Sequence, residues 1–316
     1  MQKQTKLTRP FVKKQLTWYS FIIVSIITLL VLSYIPMMTT IKYSFYDVSM
    51  LGFGEKFNGL TNYKLLLNNN SFLKSLANTF ILAFMGLLSI PLGFILASLI
   101  NGIGKGIWQG FFRVGYYFPN IITGVSVILV FQVVLKTNHG MLNSLLSFLT
   151  GHEVAIGWLS DSKYAQFGAT ILYVWQNLGY SMLINLANLQ SVPQEIYEAA
   201  EVDGANGLQR WFYITIPQMK TCFAFLFITG MINGLARFTD LFIIGGNSPS
   251  GRPGGTLQTI LMFIYQFSFE SPQYGIASAG AMILFVITFI VTAVNLMTTG
   301  FFKKEQGCHA RRRKDR

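Results

Sequence analysis

Six long stretches of this chain are nearly free of charged side chains. They run for 22 to 29 residues each, and only the fifth contains charges, Arg237 and Asp240. The stretches are residues 18–39, 76–100, 114–135, 166–189, 221–245 and 274–302. About 20 helical residues cross the hydrocarbon core of a bilayer, and within lipid the backbone must satisfy its own hydrogen bonds. The pattern therefore predicts an all-α integral membrane protein with six transmembrane helices.

The charged residues are few and unevenly placed. Only 11% of the residues are charged, against about 25% in soluble domains. Sixteen Lys and Arg residues fall on the side of the membrane that holds the N-terminus, and seven fall on the other side. The positive-inside rule then predicts that both the N-terminal tail, residues 1–17, and the C-terminal tail, residues 303–316, are cytoplasmic, flanking a membrane domain of residues 18–302. An anionic leaflet accounts for the basic tails, so we expect membrane lipid and no nucleic acid as their partner.

Motifs for catalysis and metal binding are missing from the sequence. The glycine-lysine run NGIGKG at residues 101–106 lacks the spacing and the hydroxyl residue of a phosphate-binding loop. Two cysteines and three histidines are scattered without metal-ligand spacing. The sequence thus predicts a protein that is not an enzyme, with no catalytic residue, metal site or cofactor in this chain.

One polar stretch, residues 191–220, separates the fourth and fifth hydrophobic blocks; we call it the acidic segment. It carries four acidic residues and two basic ones, on the side predicted to be cytoplasmic. Ser191 has the spacing of a helix cap, Gly204 permits a sharp bend, and Pro217 is expected to end a second short helix over residues 208–213. An ordinary polar loop with an interfacial aromatic pair is the plain alternative. The surplus of acid favours a docking surface for a basic groove in a soluble partner.

The acidic segment carries a longer signature. The pattern E-A-A-x3-G-x9-I-x-hydrophobic-P is complete from Glu198 to Pro217. In this form it resembles the EAA motif of permease subunits in binding-protein-dependent ABC importers. Stretches such as FNGLTNYKLLL, LANLQSVPQEIYEAAEVDGA and FTDLFIIGGNSP are similar to the carbohydrate branch of that family, the maltose and glycerol-3-phosphate type, and to the first of its two paired permeases.

The resemblance implies a fold, partners and a function. The fold would be the six-helix type I importer permease with a coupling helix in the acidic segment. The partners would be a second permease, a dimer of ATPase subunits that holds ATP and magnesium, and an extracellular or periplasmic sugar-binding protein, in a bacterial or archaeal cytoplasmic membrane. The chain would move a sugar or oligosaccharide into the cytoplasm. The residues implied in coupling to the ATPase are Glu198, Ala199, Ala200, Asp203, Gly204, Ile214 and Pro217.

Polar side chains within the fourth and fifth blocks are candidates for the substrate pathway. Those on the fourth block share one helical face at 100° per residue: Tyr173, Gln176, Asn177, Tyr180 and Asn188. Asn233 and Arg237 lie one turn apart on the fifth. Tyrosine rings and amides suit a sugar, but the same groups can bond across packed helices. Arg237 either pairs with Asp240 or faces the pathway, where it would favour an acidic sugar.

Two other functions fit a membrane protein with an acidic loop. A receptor or scaffold would use the acidic segment to recruit a cytoplasmic protein and would move no solute. A secondary transporter driven by an ion gradient would need buried carboxylates, and within the hydrophobic blocks only Asp240 is available. ATP-dependent uptake would separate both from an ABC importer.

Overall fold

The computed structural model describes residues 9–48, 55–104, 106–122 and 124–298. The predicted C-terminal tail, the first eight residues of the predicted N-terminal tail and the end of the sixth block lie outside the described residues. Within those ranges the backbone is mainly helical, with irregular stretches at residues 151–164 and 245–259. The described residues also form one antiparallel hairpin of β1 (Tyr46–Asp47) and β2 (Lys56–Phe57).

The first hydrophobic block forms one long helical run with a widened turn. It consists of α1 (Arg9–Leu29), the π-helical segment π1 (Leu30–Tyr34) and α2 (Ile35–Ser44). The amide of Ile35 donates to the carbonyl of Leu30, five residues back. Pro36 follows directly, and its ring cannot fit against a regular turn. Widening the turn by one residue relieves that clash.

The second block is preceded by α3 (Thr61–Leu67) and consists of α4 (Asn70–Gly86) and α5 (Ser89–Gly102). Asn69 caps α4 by accepting hydrogen bonds from the amides of Ser71 and Phe72. The break at Leu87 and Leu88 lies four residues before Pro91, which has no amide to donate to the Leu87 carbonyl.

The third block, residues 114–135, is not one continuous helix. It divides into α6 (Ile107–Ile121) and α7 (Gly124–Val134), which are inclined by 97°. Pro119 lies in the last turn of α6, and Ile122 is extended, with ψ 143°. Proline weakens the last turn of the helix, so the chain turns where an extended residue is tolerated. A short helix, α8 (Met141–Thr150), follows.

The fourth block is a single helix, α9 (Ala165–Leu189), at the centre of the packing. It lies against α5 and α6 at glycine contacts. A Cβ at Gly93 would come within 2.6 Å of the Ser181 Cβ, and one at Gly179 within 2.1 Å of the Tyr116 carbonyl oxygen. Glycine is therefore what allows these backbones to approach so closely.

The acidic segment and the fifth block contain six elements: α10 (Gln194–Val202), α11 (Gly207–Arg210), π2 (Trp211–Thr215), α12 (Ile216–Gln218), α13 (Lys220–Leu235) and α14 (Thr239–Ile244). The run from Gly207 to Gln218 meets α13 at an angle of 60°. The fifth block is thus interrupted after Leu235, at the position of Arg237.

The sixth block follows α15 (Ile260–Tyr265) and π3 (Gln266–Glu270) as α16 (Tyr274–Thr298). Pro217 and Pro272 stand two residues after π2 and π3, as Pro36 does after π1. In each of the three π segments in the described ranges, the wider turn therefore makes room for the ring of the proline that follows.

The number of spans is consistent with six. By length and composition, three helices of the described chain could cross a membrane, and two bent pairs bring the number to five. The sixth predicted span is α9, which has 25 residues. It is long enough to cross, at about 1.5 Å per residue, but its polar side chains keep its hydropathy below the others. Six spans remain the prediction for this fold.

Candidate functional sites: a polar cleft and the acidic segment

A narrow cleft opens between the junction of α4 and α5, the middle of α9, and α13. We call it the polar cleft. Its lining residues are Gly86, Ser89, Ile90, Tyr173, Asn177, Tyr180, Ser181, Leu226, Thr229, Gly230 and Asn233. It holds about 20 Å³, which is room for about one water molecule. No sugar residue fits in this conformation.

Several polar groups at the cleft have no hydrogen-bond partner in the part of the chain that the structure describes. Among the described residues, the hydroxyls of Tyr173 and Tyr180 and the amide of Asn233 make no hydrogen bond. Asn177 donates from Nδ2 to the Tyr173 carbonyl at 2.9 Å and keeps its Oδ1 free of described donors. Among the described residues, none of these side chains donates a hydrogen bond to another helix, which is the alternative predicted role. They are available to a polar ligand.

The structure brings together four of the seven predicted pathway residues, and Gln176, Asn188 and Arg237 lie outside the cleft. Tyr173, Asn177, Tyr180 and Asn233 line the polar cleft. Gln176 lies outside it, and its carbonyl accepts from Asn120 Nδ2 at 3.3 Å on α6. Around the axis of α9, Gln176 lies on the side that faces α6 and not on the side that faces the cleft.

Arg237 does not line the cleft either. It is 3% exposed, and it stands behind Tyr173, with its guanidinium carbon 4.2 Å from the centre of the tyrosine ring. Its Nη2 and Nε donate to Asp240 Oδ2 at 2.5 and 3.1 Å. The predicted pairing with Asp240 is thus the arrangement that the structure has.

Sequence reasoning missed the small residues of the cleft. Ser181 and Ser89 line it beside the predicted groups, and Gly86 gives the Tyr173 ring its space, since a Cβ at Gly86 would lie 2.7 Å from Tyr173 Cε1. Ser181 follows Asn177 by four residues and belongs to the same face of α9. That spacing could have found it; nothing local could have found Gly86.

The bend of the acidic segment is a regular helix ending. Gly204 has φ +80°, and the amides of Ala205 and Gly204 donate to the carbonyls of Ala200 and Glu201 at 2.9 and 3.0 Å. This pair of bonds is the Schellman motif, which requires a left-handed residue after the helix. The predicted glycine bend is confirmed.

Two local predictions for the acidic segment were wrong. Ser191 does not cap α10, because Pro193 occupies that position and the Ser191 hydroxyl donates to the Asn188 carbonyl at 2.7 Å. A capping box is found instead at Asn206 and Gln209. Pro217 does not end the second helix, because π2 widens the preceding turn and the helix continues to Gln218.

Trp211 ties the acidic segment to the helix bundle. Its Nε1 donates to Ser98 Oγ at 3.0 Å, and its ring stacks on Phe94 at 5.3 Å and 22°. Both partners lie on α5, and Phe94 belongs to a buried cluster that reaches α9 and α13. Because the first turn of α5 supplies Ser89 and Ile90 to the polar cleft, one helix touches both sites.

The residues of the EAA signature are mostly on the surface. Glu198, Ala199, Asp203, Gly204 and Pro217 are exposed, whereas Ala200 and Ile214 are half-buried. Beside them lie bare apolar side chains, with exposed fractions of 89% for Val202 and 80% for Tyr213. An exposed surface that combines acidic and apolar groups is typical of a protein interface.

Gly204→Ala is expected to destabilise the acidic segment by about 1–2 kcal/mol, because the left-handed backbone conformation costs an alanine that much free energy. Gly207→Ala is the matched control, since Gly207 has open space around its Cβ position and no positive φ. Limited proteolysis of residues 191–220 measures the effect. Equal cleavage rates in the two variants would show that the bend is not held by Gly204.

Comparison with known proteins bears on both sites. Residues 89–299 match the family described as "Binding-protein-dependent transport system inner membrane component", a range that holds the acidic segment and most of the polar cleft. The chain belongs to this family. The permease is therefore a transport component of a membrane and not an enzyme, as predicted.

Two relatives cover nearly the whole permease. The multiple sugar-binding transport system permease protein MsmF of Streptococcus mutans is 31% identical over 90% of this chain and 96% of its own. The arabinooligosaccharides transport system permease protein AraP of Halalkalibacterium halodurans is 31% identical over 96% of this chain and 94% of its own. The predicted family and its carbohydrate branch are confirmed.

A solved structure shares the fold. It is a chain of a bacterial alginate ABC transporter in complex with an alginate pentasaccharide-bound periplasmic protein, with a TM-score of 0.76 and 21% identity over 95% of this chain and 99% of its own. The predicted type I importer permease fold is confirmed.

Proposed function

We propose that this permease is the membrane-spanning subunit of an ABC importer that moves a sugar or oligosaccharide into the cytoplasm. The polar cleft carries the proposal, because its tyrosine hydroxyls, the Asn233 amide and Asn177 Oδ1 have no hydrogen-bond partner among the described residues and lie among membrane helices. Aromatic rings pack on the apolar face of a sugar, and amides and hydroxyls bond its hydroxyl groups. The names of both relatives support a sugar as the cargo.

The energy for transport is proposed to come from other subunits. A dimer of ATPase subunits would bind ATP and magnesium and dock on the acidic segment, with both tails of the permease on the same cytoplasmic side. A second permease would complete the pathway, and an extracellular or periplasmic sugar-binding protein would deliver the cargo. Trp211 and α5 give the docked ATPase a rigid connection to the polar cleft, which must widen for a sugar to pass.

The lining of the polar cleft favours a neutral sugar over an acidic one. None of its lining residues within the described ranges is charged. Arg237, which lies behind Tyr173, is neutralised by Asp240 at 2.5 Å. An acidic sugar would need a counter-charge that this half of the pathway does not offer.

Uptake by the complete transporter in proteoliposomes tests this function. The assay compares neutral arabino- and gluco-oligosaccharides with uronic-acid oligosaccharides, each with ATP inside, with no nucleotide, and with a proton or sodium gradient instead. We expect ATP-dependent uptake of a neutral oligosaccharide. Uptake driven by the gradient alone, or binding of the ATPase without uptake of any sugar, would overturn the proposal in favour of a secondary transporter or a scaffold.

Glu198→Lys is expected to lower the amount of ATPase that copurifies with the permease by about tenfold, since it reverses a charge at an interface that favours acid. The matched control is Glu153→Lys, the same charge change at an exposed site between α8 and α9. Copurification in detergent at two salt concentrations measures the effect. If both variants retain the ATPase equally, Glu198 is not part of the docking surface.

A further inference from the structure

We propose that Arg237 is a positioning residue. Paired with Asp240, it holds the ring of Tyr173 in place at the polar cleft, so that a buried ion pair sets the affinity for the sugar without touching it. This inference rests on the proposed function, because it assumes that the polar cleft binds the cargo.

The guanidinium of Arg237 is held from two sides. Nε and Nη2 both donate to Asp240 Oδ2. Nη2 also donates to the Ala169 carbonyl on α9 at 3.1 Å. A planar guanidinium with these three contacts has a fixed orientation. It cannot swing into the cleft without breaking them.

The backbone of Arg237 is fixed as well. The residue lies in the interruption between α13 and α14, and its carbonyl accepts from the buried Thr259 hydroxyl at 3.0 Å. Thr259 caps α15 through the Met262 amide. Arg237 therefore joins three parts of the bundle that are distant in sequence, and a helix that ran straight through this position could not place its side chain in the same way.

Tyr173 lies between Arg237 and a glycine. The guanidinium covers the face of the ring at 4.2 Å, a distance at which cation and ring attract each other. At the ring edge Gly86 leaves just enough room, since a Cβ there would lie 2.7 Å from Cε1. Tyr173 and Gly86 line the cleft and Arg237 does not. The ring is thus confined from behind and from the side, and its hydroxyl, which has no hydrogen-bond partner among the described residues, is available to a ligand.

Stability alone does not account for the ion pair. A buried pair among membrane helices is costly to desolvate, and apolar residues of similar volume often serve stability as well or better. Arg237 Nη1 is buried without a hydrogen-bond partner among the described residues, so the pair is not fully satisfied either. The ion pair orients the neighbouring Tyr173 ring, and an apolar pair would not.

The test replaces the pair without leaving a lone buried charge. The variant Arg237→Met with Asp240→Asn removes both charges at similar volume, and sugar uptake by the complete transporter in proteoliposomes gives KM and the maximal rate. We expect KM to rise about tenfold, as for the loss of a desolvated cation–π contact, with the maximal rate changed less than twofold. The exposed pair of Lys42 and Glu55, changed to Met and Gln, is the matched control and should leave KM unaltered.

A double-mutant cycle separates positioning from a structural role. In a Tyr173→Leu background the pair variant should raise KM no further, because there is no ring left to hold. An additive rise, or a lower maximal rate with normal KM, would overturn the inference. Should the pair variant fail to assemble, Arg237→Lys keeps the charge and loses the planar contact, and the same rise in KM is expected from it.

Failure of the inference can be told from failure of the proposed site. Asn177→Ala and Tyr180→Ala change the cleft without touching Arg237. A rise in KM in these two, with none in the Arg237 variants, overturns the positioning role alone. Unaltered KM in all of them overturns the polar cleft as the sugar site, and the inference with it.

Discussion

Replacing Gly179 by alanine is expected to prevent α6 from packing on α9 and so to abolish uptake. A Cβ at this position would lie 2.1 Å from the Tyr116 carbonyl oxygen and 2.7 Å from the Tyr117 Cα. Both are backbone atoms, so no side chain can turn away, and the helices must separate. Overpacking of this kind costs about 1–3 kcal/mol or more, which exceeds the helix-propensity gain of about 1 kcal/mol from Gly to Ala.

Gly115→Ala on the facing helix is the matched control. Its Cβ position has no atom within 4 Å, so an alanine there causes no clash. The higher helix propensity of alanine should then leave the stability of the complex unchanged or slightly higher. The thermal midpoint of the detergent-purified complex and sugar uptake measure both variants. A Gly179→Ala complex as stable and active as Gly115→Ala would mean that the close approach of α6 and α9 does not exist in the membrane.

Trp211→Ala is expected to detach the acidic segment from α5 and to separate ATP hydrolysis from transport. Truncating a packed tryptophan costs about 3–5 kcal/mol, and here it removes the stack on Phe94 together with the hydrogen bond to Ser98. Trp211→Phe keeps most of the stack and should cost about 1 kcal/mol, the net value of one hydrogen bond. Sugar uptake per ATP hydrolysed should fall strongly in the first variant and little in the second.

Phe212→Ala provides the comparison for the tryptophan. Phe212 is the next residue along the chain but is 56% exposed, so its truncation should leave the contact with α5 intact. Protease sensitivity of residues 191–220, measured beside uptake and ATPase activity, reports whether the segment has come loose. If the Trp211→Ala transporter still moves as much sugar per ATP hydrolysed as the unmodified one, the contact between Trp211 and α5 does not transmit motion from the ATPase.

The polar cleft was partly predictable from the sequence. Tyr173, Asn177 and Tyr180 recur at spacings of four and three, and a helix places such residues on one face wherever it lies. Asn233 could be named because it is polar in an apolar block. Arg237 could not be placed, because the fifth block was expected to be one helix and the interruption after Leu235 turns its side chain behind Tyr173.

The acidic segment shows the same division. Gly204 was recognisable, since a helix followed by glycine has a local reason to end in a left-handed turn. The inward direction of Trp211 was not, because it depends on Ser98 and Phe94, more than a hundred residues away in the chain. The prediction that Pro217 ends the second helix was wrong because a wider turn before the proline lets the helix continue.

The sequence by itself determined that the chain is a helical membrane protein, which hydrophobic blocks form its helices, and which family signature it carries. These depend on segment length, hydropathy and short-range spacing, which are properties of consecutive residues. The tertiary structure alone decided where the spans bend, which tyrosine the buried arginine contacts, and which helix the acidic segment packs against. Those contacts join residues far apart in the chain, and they exist only because glycine and proline let particular helices approach and turn at particular places.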